Sequence, residues 1–221
     1  MTITVGNHPI IEQKMTQLRD QTTKSPDFRR LIKEITFYLG YEATRGLKTN
    51  GRDVTTPLDA KAKGKVITDH ICIIPILRAG LTMSESLMDL LPEAAVHHIG
   101  MYRVPGSTMP VQYYNRLPQK HDTDVVFITD PCIASSNTLQ AACSIVKRWG
   151  AKKIVIIATI ASQTGIDKLQ EAHPDVDIFV AQVDDKLSED GMILPGIGDA
   201  GDRLFGTPAD THAKKRKHSF V

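Results

Sequence analysis

Near the start of the chain, apolar residues recur at the spacing of one helix face. Ile11, Met15 and Leu18 predict an amphipathic helix within 8–24, and Phe28, Leu31, Ile32, Ile35 and Leu39 predict a second. Pro26 suits the first turn of that second helix, where its missing N–H would have no intrahelical partner. Gly40 either ends this helix or is tolerated inside it. From residue 65 onward the period changes. Continuous apolar runs, many of them β-branched, predict buried strands over 65–76, 95–102, 124–130, 154–161 and 177–183. Helical spacing returns between them, at 82–91, 137–149 and 164–172, with Gly150 closing the middle one. Residues 103–119 hold Pro105, Gly106, Pro110 and the adjacent Tyr113 and Tyr114, which predicts a long loop or a β-hairpin arm. The alternation as a whole predicts an α/β fold: a central, mostly parallel sheet with helices on both faces.

Composition narrows the picture. The 221 residues suit one domain, expected over 1–207, and 41% hydrophobic with 24% charged residues excludes a chain too polar to fold. A net charge of +2 is too balanced for nucleic-acid binding by the whole surface. The run Lys214-Lys215-Arg216-Lys217 falls in 208–221, expected to be a flexible, solvated tail; a nucleic-acid module built on that run is disfavoured by the near-neutral remainder. Cys72, Cys132 and Cys143 have no metal-ligand spacing and read as reduced thiols. The first residues lack the basic start and long apolar core of a signal peptide, and no run approaches the ~20 apolar residues that span a bilayer. A cytoplasmic protein is expected.

In open parallel sheets, ligands bind beyond the carboxyl ends of the strands. Four segments fall there. Asp130-Pro131-Cys132-Ile133-Ala134-Ser135-Ser136-Asn137-Thr138 takes an acid at a strand end through small and hydroxyl residues into a helix. Amides at a helix start form a cradle for phosphate, and Asp130 stands where it can meet sugar hydroxyls or a metal on them. The plainer reading is an ordinary N-cap by Ser135, Ser136 or Asn137. Arg78 in Pro75-Ile76-Leu77-Arg78-Ala79-Gly80 offers paired donors to an anion, or is simply a surface arginine. Arg103 ends another strand, in Gly100-Met101-Tyr102-Arg103, and two arginines with a phosphate cradle suit a substrate with several phosphates. Pro195-Gly196-Ile197-Gly198-Asp199-Ala200-Gly201-Asp202 lets backbone approach a ligand closely, or is a glycine-rich turn.

In this order and spacing, together with Tyr41-Glu42-Ala43-Thr44, these segments resemble the uracil phosphoribosyltransferases, a branch of the type I phosphoribosyltransferases. The resemblance runs over nearly the whole chain and stops near residue 208. It implies the type I phosphoribosyltransferase fold with a β-hairpin arm, about 103–119, and a base-binding segment, about 191–207. It implies transfer of phosphoribose from 5-phosphoribosyl-1-pyrophosphate (PRPP) to uracil, giving UMP and diphosphate. By that resemblance, residues 130–138 bind PRPP, with the loop on the 5-phosphate and Asp130 on the ribose hydroxyls. Arg78 and Arg103 serve the pyrophosphate. Backbone around Ile193, Gly198 and Ala200 reads uracil, and Asp199 lies near the ribose. Arg78, Asp130 and Asp199 act by charge and positioning. Mg²⁺ arrives bound to PRPP, with no direct protein ligand. Homo-oligomers paired through the arm are implied, and for some relatives a GTP effector, though no motif here locates its site. Cys132 has no base partner in the sequence and is not read as a nucleophile.

One departure matters. The family loop usually reads Ala-Thr-Gly-Gly and then Ser or Thr, whereas this chain has Ala134-Ser135-Ser136-Asn137-Thr138. Ser135 keeps the hydroxyl. Asn137 tolerates left-handed backbone better than most residues, so Ser136 is the graver change. Catalysis is expected to survive with weaker PRPP binding. The competing reading is a non-catalytic relative that binds a pyrimidine or nucleotide as a sensor. A further alternative is a transferase for another base; the intact Gly198-Asp199-Ala200-Gly201-Asp202 argues against a purine.

Overall fold

The computed structural model describes residues 2–103 and 109–207. In chain order the elements are β1 (Ile3–Val5), α1 (Pro9–Arg19), α2 (Ser25–Ala43), β2 (Thr49–Thr55), β3 (Lys61–Ile67), β4 (Ile71–Leu77) and α3 (Leu81–Leu90). There follow β5 (Ala95–Val96), β6 (Ile99–Arg103), β7 (Pro110–Asn115), β8 (Val125–Thr129), β9 (Cys132–Ile133) and α4 (Asn137–Trp149). The last are β10 (Lys153–Ser162), α5 (Gln163–Ala172), β11 (Asp177–Asp184), β12 (Lys186–Leu187), β13 (Ile193–Leu194) and α6 (Ala200–Phe205).

The main sheet runs β1-β11-β10-β8-β4-β6-β7, parallel throughout except for β7, which runs antiparallel to β6. Side chains alternate between the faces of a strand, and that alternation sorts the apolar runs into two cores. Ile73, Phe127, Val155 and Ile157 point to the face covered by α1, α2 and α3, where Leu18, Phe28, Ile32 and Leu87 are buried. Cys72, Ile74, Val126, Ile128, Ile154 and Ile156 point to the other face, covered by Leu139 and Val146 of α4 and Ile166 and Leu169 of α5. Strands buried on both faces show no polar alternation, which is why they read as unbroken apolar runs. The architecture is thus α/β, a mostly parallel sheet between two helical layers.

Several expected boundaries moved. Gly40 lies inside α2, against Leu87 of α3. The expected strand 65–76 is two elements. β3 pairs antiparallel with β2 as a separate two-stranded hairpin, and the chain turns at 68–70, where Asp69 accepts from the Lys48 N–H at 2.7 Å. The expected strand 95–102 breaks at His97 and His98 into β5 and β6. For 103–119, the hairpin alternative is the one found: β7 folds back on β6. Residues 104–108 and the Arg103 side chain lie outside the described residues, as does the basic run of 208–221. No helix among the described residues is long and apolar enough to cross a membrane.

Candidate active site

The carboxyl ends of β4, β6 and β8 and the chain segment after β12 surround a cavity of 420 Å³. It is where the strand-end rule places a ligand. Of the residues singled out from sequence, Arg78, Asp130, Pro131, Cys132, Ala134, Thr138, Ile193, Gly198, Asp199 and Ala200 line it. Ile133, Ser135, Ser136 and Asn137 are not among its walls: Ile133 points into the core, and Ser136 is buried at the head of α4. Tyr102 is a wall to which sequence reading gave no role, while Met192 falls within the segment expected to bind the base. Tyr113, on the expected arm, is also a wall, and its ring stands 6.1 Å from that of Tyr102.

One side of the cavity is the strand–loop–helix after β8. The Asp130 carboxylate accepts from the Cys132 N–H at 3.4 Å and so turns the chain. The Pro131 carbonyl accepts from the N–H groups of Thr159 and Ile160, which ties the loop to β10. Buried Ser162 donates its hydroxyl to the Ala134 carbonyl at 2.7 Å and accepts from the Gly165 N–H at 2.8 Å. A Cβ at Gly165 would lie 2.1 Å from the Ala134 carbonyl oxygen, so α5 can press against the loop only through a glycine. Ser136, the N-cap of α4, has φ 64° and ψ −6° and makes no side-chain cap bond. The ordinary capping reading of this serine is therefore not what the structure holds. Asn137 is the first helical residue and is not among those with positive φ, so of the two replaced glycines only Ser136 occupies a left-handed position. The first turn of α4 carries no acid and its last turn carries Lys147 and Arg148, a charge arrangement that leaves the positive end of the helix dipole for an anion.

A second side is the turn after β4, where exposed Arg78 rests with its guanidinium 5.6 Å from the centre of the Phe205 ring. Such a contact at an exposed site holds by only about 0.5–1 kcal/mol, so the arginine can leave it for an anion.

The third side is the segment 191–201, held by the front of the chain. Arg19 donates to both carboxylate oxygens of Asp184 (2.9 and 2.6 Å) and to the Gly196 carbonyl (2.8 Å), while the Gly196 N–H donates to Asp184 (2.8 Å). One ion pair thus grips both main-chain groups of Gly196. Gly196 has φ +65°, and a Cβ there would lie 2.0 Å from the Ile193 carbonyl oxygen. Arg203 donates to the carbonyls of Leu18, Ile197 and Asp20, with its guanidinium 4.2 Å from the centre of the Phe28 ring. Asp199 caps α6, accepting from the Asp202 N–H at 2.9 Å. Sequence reading missed Arg19, Asp184 and Arg203, whose partners are distant along the chain.

Asp130 and Asp199 are the acids lining the cavity, and among the described residues no three His, Cys, Asp or Glu side chains cluster as a metal cage. These two carboxylates are hard oxygen donors that suit a cation bringing most of its ligands with a substrate. Burial pushes the thiols of Cys72 and Cys143 up to about 12, which leaves both inert.

Comparison with known proteins gives consistent results. The family model described as Uracil phosphoribosyltransferase matches residues 5–207. The uracil phosphoribosyltransferase of Dictyoglomus turgidum is 47% identical over 206 residues, covering 93% of this chain and 99% of the relative. The solved structure of the AQ2163 protein from Aquifex aeolicus superposes with a TM-score of 0.88 at 32% identity, over 94% of this chain and 100% of that one. At the level of fold alone, the adenine phosphoribosyltransferase of Thermoanaerobacter pseudethanolicus superposes with a TM-score of 0.52 at 12% identity, over 78% of this chain and 99% of that one.

Proposed function

The chain belongs to the uracil phosphoribosyltransferase family, and from that membership we propose that it transfers the phosphoribosyl group of PRPP to uracil, releasing UMP and diphosphate. The observation that carries this reading is that one cavity is walled by Asp130 and Thr138, beside a helix start whose N-cap serine makes no side-chain cap bond, and by the clamped segment 191–201 on another side. A sugar phosphate and a flat base can therefore meet inside it.

In the reaction the uracil N1–C1 bond forms as the C1–oxygen bond to diphosphate breaks, and the N1 proton is lost. The main-chain amides at the head of α4 and the Thr138 side chain receive the 5-phosphate. Asp130 orients the ribose hydroxyls, and Asp130 and Asp199 together favour the positive charge that develops on the sugar. Arg78 turns from Phe205 to the pyrophosphate and offsets the charge gathering on the leaving group. Arg103 keeps the matching role that the resemblance implies. Asp130 and Asp199 are the carboxylates that would face magnesium carried by PRPP, which would add to the neutralisation of the leaving group. Main chain around Ile193, Gly198 and Ala200 reads the uracil edge, and cytosine would leave a buried group unpaired at about 1–3 kcal/mol. Holding both substrates in one cavity contributes up to ~7–11 kcal/mol in favourable cases.

A cytoplasmic homo-oligomer fits this reading, supported by the apolar side chains exposed on the β2–β3 hairpin. The test is turnover: uracil, PRPP and magnesium should give UMP and diphosphate in equal amounts, and Asp130→Asn should lower kcat/KM about a hundredfold. Uracil or UMP binding without turnover would make the chain a sensor and overturn the proposal. Repeating the assay with GTP tests the effector.

A further inference from the structure

Among the described residues, positive φ at a non-glycine occurs at Asp59 and Ser136. Asp59 lies between β2 and β3 in an exposed turn, but Ser136 is buried at the head of α4. Left-handed backbone crowds the Cβ of any L residue, and such a conformation persists only where its surroundings over-determine it. Ser136 is tied twice to Gln140, one turn further on. The Gln140 N–H donates to the Ser136 carbonyl at 2.8 Å, and its side-chain Nε2 donates to the Ser136 Oγ at 2.7 Å. Gln140 is itself fixed from behind: its carbonyl accepts from the Ser144 hydroxyl at 2.9 Å and lies 3.0 Å from Nε2 of buried His173.

A serine that begins a helix ordinarily has extended backbone and turns its oxygen onto an N–H two or three residues ahead. There it would occupy an amide that the proposed function gives to the 5-phosphate. In this chain the hydroxyl oxygen instead accepts from the Gln140 side chain, one turn ahead, and makes no cap bond. We propose that Gln140 is a positioning residue for the phosphate loop. By holding the Ser136 hydroxyl it keeps the turn left-handed and leaves to the phosphate of PRPP the Thr138 and Leu139 amides that a serine cap would take. The proposal rests on reading the α4 start as the phosphate end of the cavity.

It requires that Gln140 matter only while residue 136 carries a hydroxyl. Wild type, Gln140→Leu, Ser136→Gly and the double variant are to be compared by calorimetric PRPP binding, KM for each substrate, kcat and melting temperature. Leucine preserves helix propensity, so α4 should still form. Gln140→Leu alone should weaken PRPP binding and raise its KM about tenfold, equivalent to ~1.4 kcal/mol. The KM for uracil should stay within about twofold, and in the Ser136→Gly background the same change should move the PRPP KM by less than about twofold. An equal loss in both backgrounds, or a loss confined to melting temperature, makes Gln140 a structural helix residue and overturns the proposal. If wild type binds no PRPP but Ser136→Gly does, the serine blocks the loop; the proposal falls while the phosphate reading stands. If none of the four binds PRPP, the phosphate reading falls and takes the proposal with it.

Discussion

At the scale of single residues, Asp184 carries the sharpest expectation. It is buried, its carboxylate takes three hydrogen bonds from Arg19 and Gly196, and the segment that forms one wall of the cavity hangs on it. Burial opposes its charge, but the Arg19 hydrogen bonds, the Gly196 N–H and the Arg19 charge outweigh burial and hold the carboxyl below its usual range. The unfolded carboxyl titrates near ~3.9, so the unfolded chain binds this proton more readily than the folded one. The stabilisation is then complete above that pH and is lost as pH falls below it, through the lower folded value. Asp184→Ala should cost about 3 kcal/mol near neutrality, and urea unfolding should show the gap to wild type closing below pH ~4. The same variant should raise the KM for uracil more than that for PRPP. Cysteine gives a second check. Cys132 lines the cavity, whereas Cys72 and Cys143 are buried with raised thiol pKa values. Iodoacetamide on the folded protein should label Cys132 alone, and PRPP should slow that labelling. Arg78 and Asp130 could be picked out from sequence because each sits at a strand end. Asp184 could not, since Arg19 is 165 positions away and the acid looks like any other at a strand terminus.

At the scale of elements, the two substrate-facing walls should fail separately. Gly165→Ala would put a Cβ 2.1 Å from the Ala134 carbonyl oxygen, so α5 or the loop must shift. Overpacking of this kind costs about 1–3 kcal/mol. The expected signature is a raised KM for PRPP, an unchanged KM for uracil and a melting temperature lower by about 2–4 °C per kcal/mol. Gly196→Ala, strained by both its φ and the Ile193 carbonyl, should show the reverse selectivity. Steady-state kinetics with each substrate varied in turn distinguish the two. The unit β8–loop–α4 was readable because an acid ended an apolar run and a helical period followed small residues. The β2–β3 hairpin was not readable. β2 is exposed at every position, so no period of two marks it, and the Val66–Ile67 end of β3 ran on visually into the true core strand β4. The left-handed turn at Ser136 was foreseen as a difficulty, but its partner was not, because nothing local distinguishes Gln140 from a solvated helix residue.

At the scale of the whole molecule, the main sheet is covered on both faces, yet the hairpin stands apart from it with Val54, Leu58, Val66 and Ile67 exposed. A lone two-stranded hairpin is marginal in water, so a second copy of the chain is expected to cover it. Sedimentation equilibrium should give a dimer or larger species, and Val54→Glu with Leu58→Glu should shift it toward monomer. The three-layer arrangement followed from the alternation of periods in the sequence; the way the chain's end returns to its beginning did not. Leu18, Arg19, Asp20 and Phe28 come early, whereas Gly196, Ile197 and Arg203, which they hold, come almost last. A ribosome delivers a chain from its N-terminus, and domains begin to fold as they emerge. Until 191–207 emerges, those early groups wait without their partners, and the core around Leu18 and Phe28 lacks Ile193, Ile197 and Leu204. A translation product halted just short of Gly191 should therefore be cut by protease at α1 and α2, where the finished chain resists.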